Sequence, residues 1–311
     1  MSDLAGADPK SLAGRLWIYQ AERFPLARTI PLLLAFSASS VTASAHLAGR
    51  PVPEFWAYAT AFVVVLVFFW QMRVADEVKD ADTDARWRPE RPIPRGLVSL
   101  RLIVGLGIAS SFVALAAAFA FDPWLVLLVL MVWAWLGLMT VEFFAPKLLH
   151  ASPALYLATH MAIMPLIDVF LTGCEWLPAG HGLPTGLWTF LLMSLANGCV
   201  AEFSRKIWAP VNERPGVDTY TSAWGISAAV AALAGAWLLG FFALIAYGHV
   251  LAMTKWFVIA GAAASLPIAG SMITLLASPT PAAQKRLETL SGIWILLCYV
   301  LAATLPFVIR I

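Results

Sequence analysis

The sequence predicts an all-α polytopic membrane protein, with nine transmembrane helices around a central cavity and a cytoplasmic N-terminus. Three observations carry this. Of 311 residues, 61% are hydrophobic and 12% charged, against roughly 45–50% apolar in soluble domains. Several apolar runs exceed the ~20 residues that cross a bilayer. The basic residues also collect in alternate connections between those runs, as the positive-inside rule requires.

Residues 1–25 are polar and then mildly amphipathic. Leu12, Leu16, Ile18 and Tyr19 suit a membrane surface, with Arg15 and Arg23 toward the headgroups. No positively charged segment runs into an apolar stretch there, so a cleaved signal peptide is not expected. Span 1 is read at 26–47 and span 2 at 55–72. A charged connection, 73–96, follows. Span 3 is read at 97–121, closed by the turn signal Asp122-Pro123. Span 4 is read at 124–145, span 5 at 153–173 and, after a Gly/Pro-rich loop, span 6 at 186–203. A second charged connection, 204–221, comes next. Spans 7, 8 and 9 are read at 222–247, 250–276 and 293–309. No soluble domain or low-complexity tract interrupts the chain, which is read as a single transmembrane domain, 1–311.

With the N-terminus in the cytoplasm, seventeen of the twenty Lys and Arg fall on that side. Only Arg50, Lys255 and Arg310 fall on the other. Miscounting one span would scramble this asymmetry, so it supports both the count and the orientation. Each charged connection follows an even-numbered span, four spans apart, as expected of two four-helix units facing a cavity. Cys174, Cys199 and Cys298 show no metal or redox spacing and are read as packing residues. No nucleic-acid partner is expected.

The first charged connection carries Asp76, Asp80 and Asp84 at four-residue intervals, with Glu77 and Asp82 beside them. On a helix this spacing stacks three carboxylates on one face. Stacked like charges need counter-charge. Lys79, Arg86, Arg88, Arg91 and Arg95 could supply part of it and a divalent cation the rest. A solvated loop of mixed charge is the plain alternative. The second connection holds Glu202, Arg205, Lys206, Asn212, Glu213 and Asp218. Glu202 and Arg205, three residues apart, also suit a simple structural ion pair. Two acidic clusters with Arg and Lys between them suit a Mg²⁺-bound diphosphate, since Mg²⁺ takes one or two carboxylates plus phosphate oxygens and Arg contacts phosphate bidentately.

These segments resemble the UbiA superfamily of intramembrane prenyltransferases, which includes terpene cyclases. The family's first motif reads roughly N-D-x-x-D-x-x-x-D, followed by R-P-x-P-x-G-x-x-S. Asp76-Glu77-x-x-Asp80-x-x-x-Asp84 is similar, with Asp for the Asn and Glu for the first Asp, and Arg91-Pro92-Ile93-Pro94-Arg95-Gly96-Leu97-Val98-Ser99 matches closely. The second motif departs. Gly216-Val217-Asp218-Thr219 resembles its tail, but upstream acids are sparse and Arg205-Lys206 lies where an Arg-Asp pair is usual. That departure implies a metal site weakened or partly replaced by fixed positive charge. Ala145-Pro146-Lys147 resembles a basic site of the family and lacks its second basic residue.

The resemblance implies nine helices, a Mg²⁺ cofactor and ionisation of an isoprenyl diphosphate. The prenyl group would pass to a lipophilic or aromatic acceptor in the bilayer. The expected metal ligands are Asp76, Glu77, Asp80, Asp84, Glu202, Asn212 and Glu213. The expected diphosphate contacts are Arg73, Lys79, Arg91, Lys147, Arg205, Lys206 and Asn197. Asp76, Asp80, Asp84, Lys147, Arg205 and Asp168 form the expected catalytic set. Asp168 earns its place as an ionisable group deep in span 5, with a hydrogen bond to a neighbouring helix as the plain alternative. His160, two turns earlier, is expected to share its face. Glu142 is expected to pair with Lys147. The expected location is the bacterial cytoplasmic membrane, with the active site facing the cytoplasm. Two other functions are open: cyclisation of the prenyl cation on itself, and cation transport through the acidic helix. Transporter sites usually lie near the midplane, whereas these acids gather in a connection.

Overall fold

The structure is a computed structural model that describes residues 10–309, and among these residues it contains no strand. A short helix, α1 (Leu12–Arg23), is capped by Ser11 and leads into α2 (Leu26–Ala48) and α3 (Phe55–Lys79). The short α4 (Ala81–Trp87) continues from α3. Next come α5 (Leu100–Phe121), α6 (Leu125–Thr140), α7 (Pro146–Ala151), α8 (Pro153–Met161) and α9 (Ile163–Trp176). The second half holds α10 (Leu187–Arg205), α11 (Tyr220–Trp224), α12 (Ile226–Val250), α13 (Thr254–Ala277) and α14 (Pro281–Ile309).

Among the described residues, eight segments are long and apolar enough to cross a membrane: α2, α3, α5, α8 with α9, α10, α12, α13 and α14. The expected fourth span is α6, which is apolar but only 16 residues long. It stops at Thr140 because Glu142, Phe143 and Phe144 take left-handed φ values of 50°, 52° and 57°. The expected ninth span is longer than its apolar run, since α14 begins at Pro281.

The long helices pack in sequence order, α2 on α3, α3 on α5, α5 on α6, α6 on α9, α9 on α10, α10 on α12, α12 on α13 and α13 on α14. The last, α14, returns to α2 and closes the ring. Small residues let the backbones approach: Ala57 and Ala61 on α3 and Gly107, Ala114 and Ala118 on α5 are buried. A Cβ on Gly107 would lie 3.1 Å from Val74 Cγ1. Phe112, Phe119, Leu266 and Ile273 point outward instead, the arrangement lipid requires.

The N-terminal segment departs from its expected place. Residues 1–9 of it, like Arg310, lie outside the described residues. In α1, Tyr19 is buried, and Arg23 turns inward rather than toward headgroups. Arg23 Nε lies 2.6 Å from Glu77 Oε1 and Tyr19 donates to the same oxygen at 3.3 Å. An unpaired carboxylate at the end of α3 is costly, and α1 docks to satisfy it.

Candidate active site

The apolar run of α3 ends near Met72, but its helix continues through Lys79. Asp80 leaves helical geometry at ψ 0°, yet the hydrogen bonding carries on. Asp80 N–H donates to Asp76 O at 2.9 Å, Asp84 N–H to Asp80 O at 2.7 Å and Arg88 N–H to Asp84 O at 2.9 Å. Asp76, Asp80 and Asp84 therefore keep the one-turn spacing expected of them. Burial, reinforced by the charges of Asp76 and Asp84, pushes the Asp80 carboxyl above the usual carboxylate range.

Beside this stack a cavity of about 590 Å³ runs into the bundle. Its mouth is lined by Arg73, Asp76 and Lys79 from α3, Tyr156 and His160 from α8, Glu202 and Arg205 from α10, and Glu288 from α14. Its body is apolar, walled by Leu33, Phe36, Phe69, Met72, Leu136, Met164, Ile295 and Tyr299. Phe36 and Tyr299 meet edge to face, 4.8 Å between centroids, at its far end. Beyond that contact α2 and α14 stay together, with His46 Nε2 2.9 Å from Ala303 O. On the mouth side both helices line the cavity instead, through Thr29 and Leu32 and through Glu288 and Gly292.

The mouth is built from ion pairs. Arg73 lies 3.3 Å from Asp76. Lys79 Nζ lies 3.2 Å from Glu142, 3.3 Å from Tyr156 Oη and 3.4 Å from His160 Nε2. Glu202 is buried, with Arg205 Nε at 2.6 Å and Lys206 Nζ at 3.0 Å. Lys79 and Lys206 both reach the Tyr156 ring, 5.3 and 5.6 Å from its centroid.

The second charged connection packs on the first. Gly216, at φ +69°, sits so close to the Trp87 indole that any side chain would collide with it. The capping box of Thr219 and Ser222 starts α11 at its end.

Of the residues expected to form the site, Arg73, Asp76, Lys79, Asn197, Glu202 and Arg205 line one cavity. The others have different engagements. Glu77 holds Arg23 and Tyr19. Asp84 is buried between Arg88, at 3.2 Å, and Arg91, so both charges of that last pair are taken. Glu213 accepts from the hydroxyls of Thr219 at 2.8 Å and Thr221 at 2.6 Å, and Asn212 donates to Gln284 at 2.8 Å. Lys147 is exposed on α7, and Glu142 pairs with Lys79 in its place. Asp168 is buried away from the cavity, 2.6 Å from Ser40 Oγ, so the helix-to-helix hydrogen bond is the arrangement found. Its expected shared face with His160 is interrupted at Ala162, between α8 and α9. Tyr156, Glu288 and the Phe36–Tyr299 end wall were missed. The spacing of Tyr156 and His160, one turn apart, was the available signal for the first.

Among the described residues, no group of three or more His, Cys, Asp or Glu is disposed to hold a metal ion. At the first acidic segment, Asp76 and Asp80 remain for a divalent cation. Two carboxylates completed by phosphate oxygens and water suit Mg²⁺. The second segment does not suit one, because Glu202 is already neutralised by two cations and both oxygens of Glu213 accept from threonine hydroxyls. Chemically, the arrangement offers Arg and Lys side chains, paired with carboxylates, at the rim of a chamber walled by hydrocarbon and aromatic rings.

Comparison with known proteins agrees with this geometry. No curated protein matches the sequence. A solved structure of a UbiA homolog from Aeropyrum pernix K1, in its apo form, is similar in fold with a TM-score of 0.65. It is 15% identical, over 84% of this chain and 94% of that one. A structure of digeranylgeranylglyceryl phosphate synthase in membranes has a TM-score of 0.58 and 15% identity, over 93% of this chain and 99% of that one. The family model of the UbiA prenyltransferases matches residues 35–296, which take in the acidic stack, both charged connections and most of the cavity lining. The chain is an integral membrane protein of the UbiA prenyltransferase family.

Proposed function

We propose that the protein ionises an isoprenyl diphosphate at the cavity mouth and passes the prenyl group to a lipophilic or aromatic acceptor in the membrane. The observation that carries this is the junction of an ion-paired mouth with an apolar chamber: Arg73, Lys79 and Arg205, with Asp76 and Glu202, line the same space as Phe36, Phe69 and Tyr299. A diphosphate fits the first and a prenyl chain the second. Members of the family use such donors with lipophilic acceptors, and one of the similar structures is a prenyl-lipid synthase.

Arg73, Lys79 and Arg205 would bind the diphosphate and stabilise the charge that develops as its C–O bond breaks. Asp76 and Asp80 would hold Mg²⁺, with Asp84 supporting the stack through Arg88 and Arg91. Bound there, Mg²⁺ would add positive charge that neutralises the diphosphate and eases its departure. The apolar walls exclude water, which would otherwise quench the allylic cation. Ring faces such as those of Phe36, Phe69 and Tyr299 favour a cation nearby. The side on which α2 and α14 both line the cavity, through Leu32 and Gly292, would give the chain and an acceptor a way in from lipid. The basic asymmetry of the connections supports a mouth at the cytoplasmic surface, and a bacterial membrane is part of the same proposal. It also favours nine crossings, with α6 as a short fourth beside which the bilayer thins.

The same chamber would serve a terpene cyclase, in which the cation attacks its own chain. The neutralised second acidic segment favours this as the alternative reading. Cation transport is the weaker one, since Asp168 lies off the cavity and the acids that line it gather at its mouth.

The test is incubation of purified protein with C10, C15 and C20 diphosphates and Mg²⁺, with and without a phenolic acceptor, followed by product identification. Diphosphate release that is lost in Asp80→Ala and on chelation supports ionisation. Acceptor adducts support transfer, and cyclic hydrocarbons formed without acceptor support cyclisation. Cation uptake with no diphosphate turnover would overturn both.

A further inference from the structure

We propose that His160 is the base that takes the proton released at the end of the reaction, and that Lys79 covers its lone pair until a diphosphate draws the ammonium away. This rests on the function proposed above, and it holds for transfer and cyclisation alike. In each, the C–O bond breaks with its electron pair leaving on the diphosphate. A new bond then forms to the allylic carbon, and a proton leaves either the acceptor or a carbon beside the final cation. A base must therefore face the chamber.

The cavity lining offers few. Asp76 has a half-exposed side chain (52%), pairs with Arg73 and is one of the two carboxylates left for a divalent cation. Glu202 is neutralised by Arg205 and Lys206, and Glu288 is exposed at the rim. His160 is buried, at 7% exposure, and lines the wall.

Its geometry fixes its tautomer. Nδ1 lies 2.9 Å from the Tyr156 carbonyl oxygen. A carbonyl only accepts, so Nδ1 carries the ring proton and Nε2 carries the lone pair. The ring is stacked on Tyr156 at 3.8 Å and 13°, and Phe143 meets it edge-on at 6.1 Å.

The lone pair faces Lys79 at 3.4 Å. Glu142 and Tyr156 are the other partners of that ammonium, at 3.2 and 3.3 Å. All three contacts are longer than the ~2.7–2.9 Å of a strong charge-assisted bond. Lys79 is thus shared loosely among three acceptors, and a diphosphate oxygen would be a better one. The turn that brings Glu142 to Lys79 and Phe143 to His160 is itself strained, with three consecutive non-glycine residues at positive φ. Such strain collects where function requires it. Once Lys79 moves to the diphosphate, Nε2 is open to the chamber. The imidazolium that forms has Glu142 and Glu202 as opposing charges, and it returns its proton to the departing diphosphate or to water at the mouth.

The experiment compares the parent with His160→Gln and Lys79→Gln in phosphatidylglycerol vesicles, using a C20 diphosphate, Mg²⁺ and a simple phenol. Two quantities are read: inorganic diphosphate released, and adduct or hydrocarbon formed per diphosphate released. Because the second is a ratio within turnover, partial misfolding cannot mimic a change in it. The expected result for His160→Gln is release within about threefold of the parent, with the ratio lower by about a hundredfold and prenyl alcohol in its place. For Lys79→Gln it is weaker diphosphate binding with an unchanged ratio. An unchanged ratio in His160→Gln would assign the proton to the diphosphate itself and overturn the proposal. So would a loss of release equal to the loss of product. No release by the parent would instead refute the underlying function.

Discussion

Arg205 and Glu202 form a closed pair at the mouth of the cavity, one turn apart on α10, with Lys206 on the second carboxylate oxygen. This carboxylate sits where the second acidic motif would place a metal ligand, and its charge is already spent. Glu202→Gln should therefore change the Mg²⁺ concentration needed for half-maximal activity by less than about threefold. Asp76→Asn should raise it by at least about tenfold, since losing a ligand costs no less than losing a group that orients one. Titrating activity against Mg²⁺ for the two variants decides the matter, and equal shifts would restore Glu202 as a ligand.

Asp80 illustrates a conflict between stability and function. Its carboxyl is pushed up by burial and by Asp76 and Asp84. A carboxyl raised on folding stabilises the fold while protonated, and that contribution is lost as pH rises through the folded-state value. At pH 7 the ionised group is a cost, so Asp80→Asn should melt higher than the parent there. The difference should vanish once pH falls below the ordinary carboxylate range. Activity should fall by about a hundredfold or more in the same variant. Thermal melts at pH 4 and pH 7, with parallel assays, would measure both.

The Phe36–Tyr299 contact closes the apolar end of the cavity. Replacing Phe36 with Ala should deepen the chamber and shift kcat/KM toward the C20 over the C10 diphosphate by about tenfold. A hydrophobic subsite discriminates by that order for a methylene or two. The ratio of the two substrates, measured in competition, is independent of how much protein folds.

At the opposite end of the bundle, Arg50 holds Glu175 with both Nε and Nη2, while Ser44 donates to the same carboxylate at 2.7 Å. Glu175 is buried, so Arg50→Ala should cost about 3–5 kcal/mol by leaving its charge unpaired. Arg50→Ala with Glu175→Met should recover most of that loss. Diphosphate binding should be unchanged in both, because neither residue lines the main cavity.

The all-helical membrane character and most element positions were legible in the chain, because lipid forces ~20-residue apolar runs and expels charge to the connections. The four-residue period of Asp76, Asp80 and Asp84 was legible too, because helical spacing is a local property that hydrogen bonding sustains even across the break at Asp80. Which charges are free was not a local property. Glu77 could not be separated from Asp76 by sequence, and only the docking of α1 through Arg23 removes it from the site. Arg91, Asn212, Glu213 and Lys147 are of the right types in the right connections, yet each meets a partner or solvent away from the cavity. The pairing of Lys79 with Glu142, Tyr156 and His160 joins three distant segments through a strained turn that no periodicity announces. Composition and period thus determined the class of molecule and the place of its acidic helix. Tertiary packing decided which carboxylates remain available for a cation and which base faces the chamber, because a buried charge is settled by whatever partner the fold brings within reach.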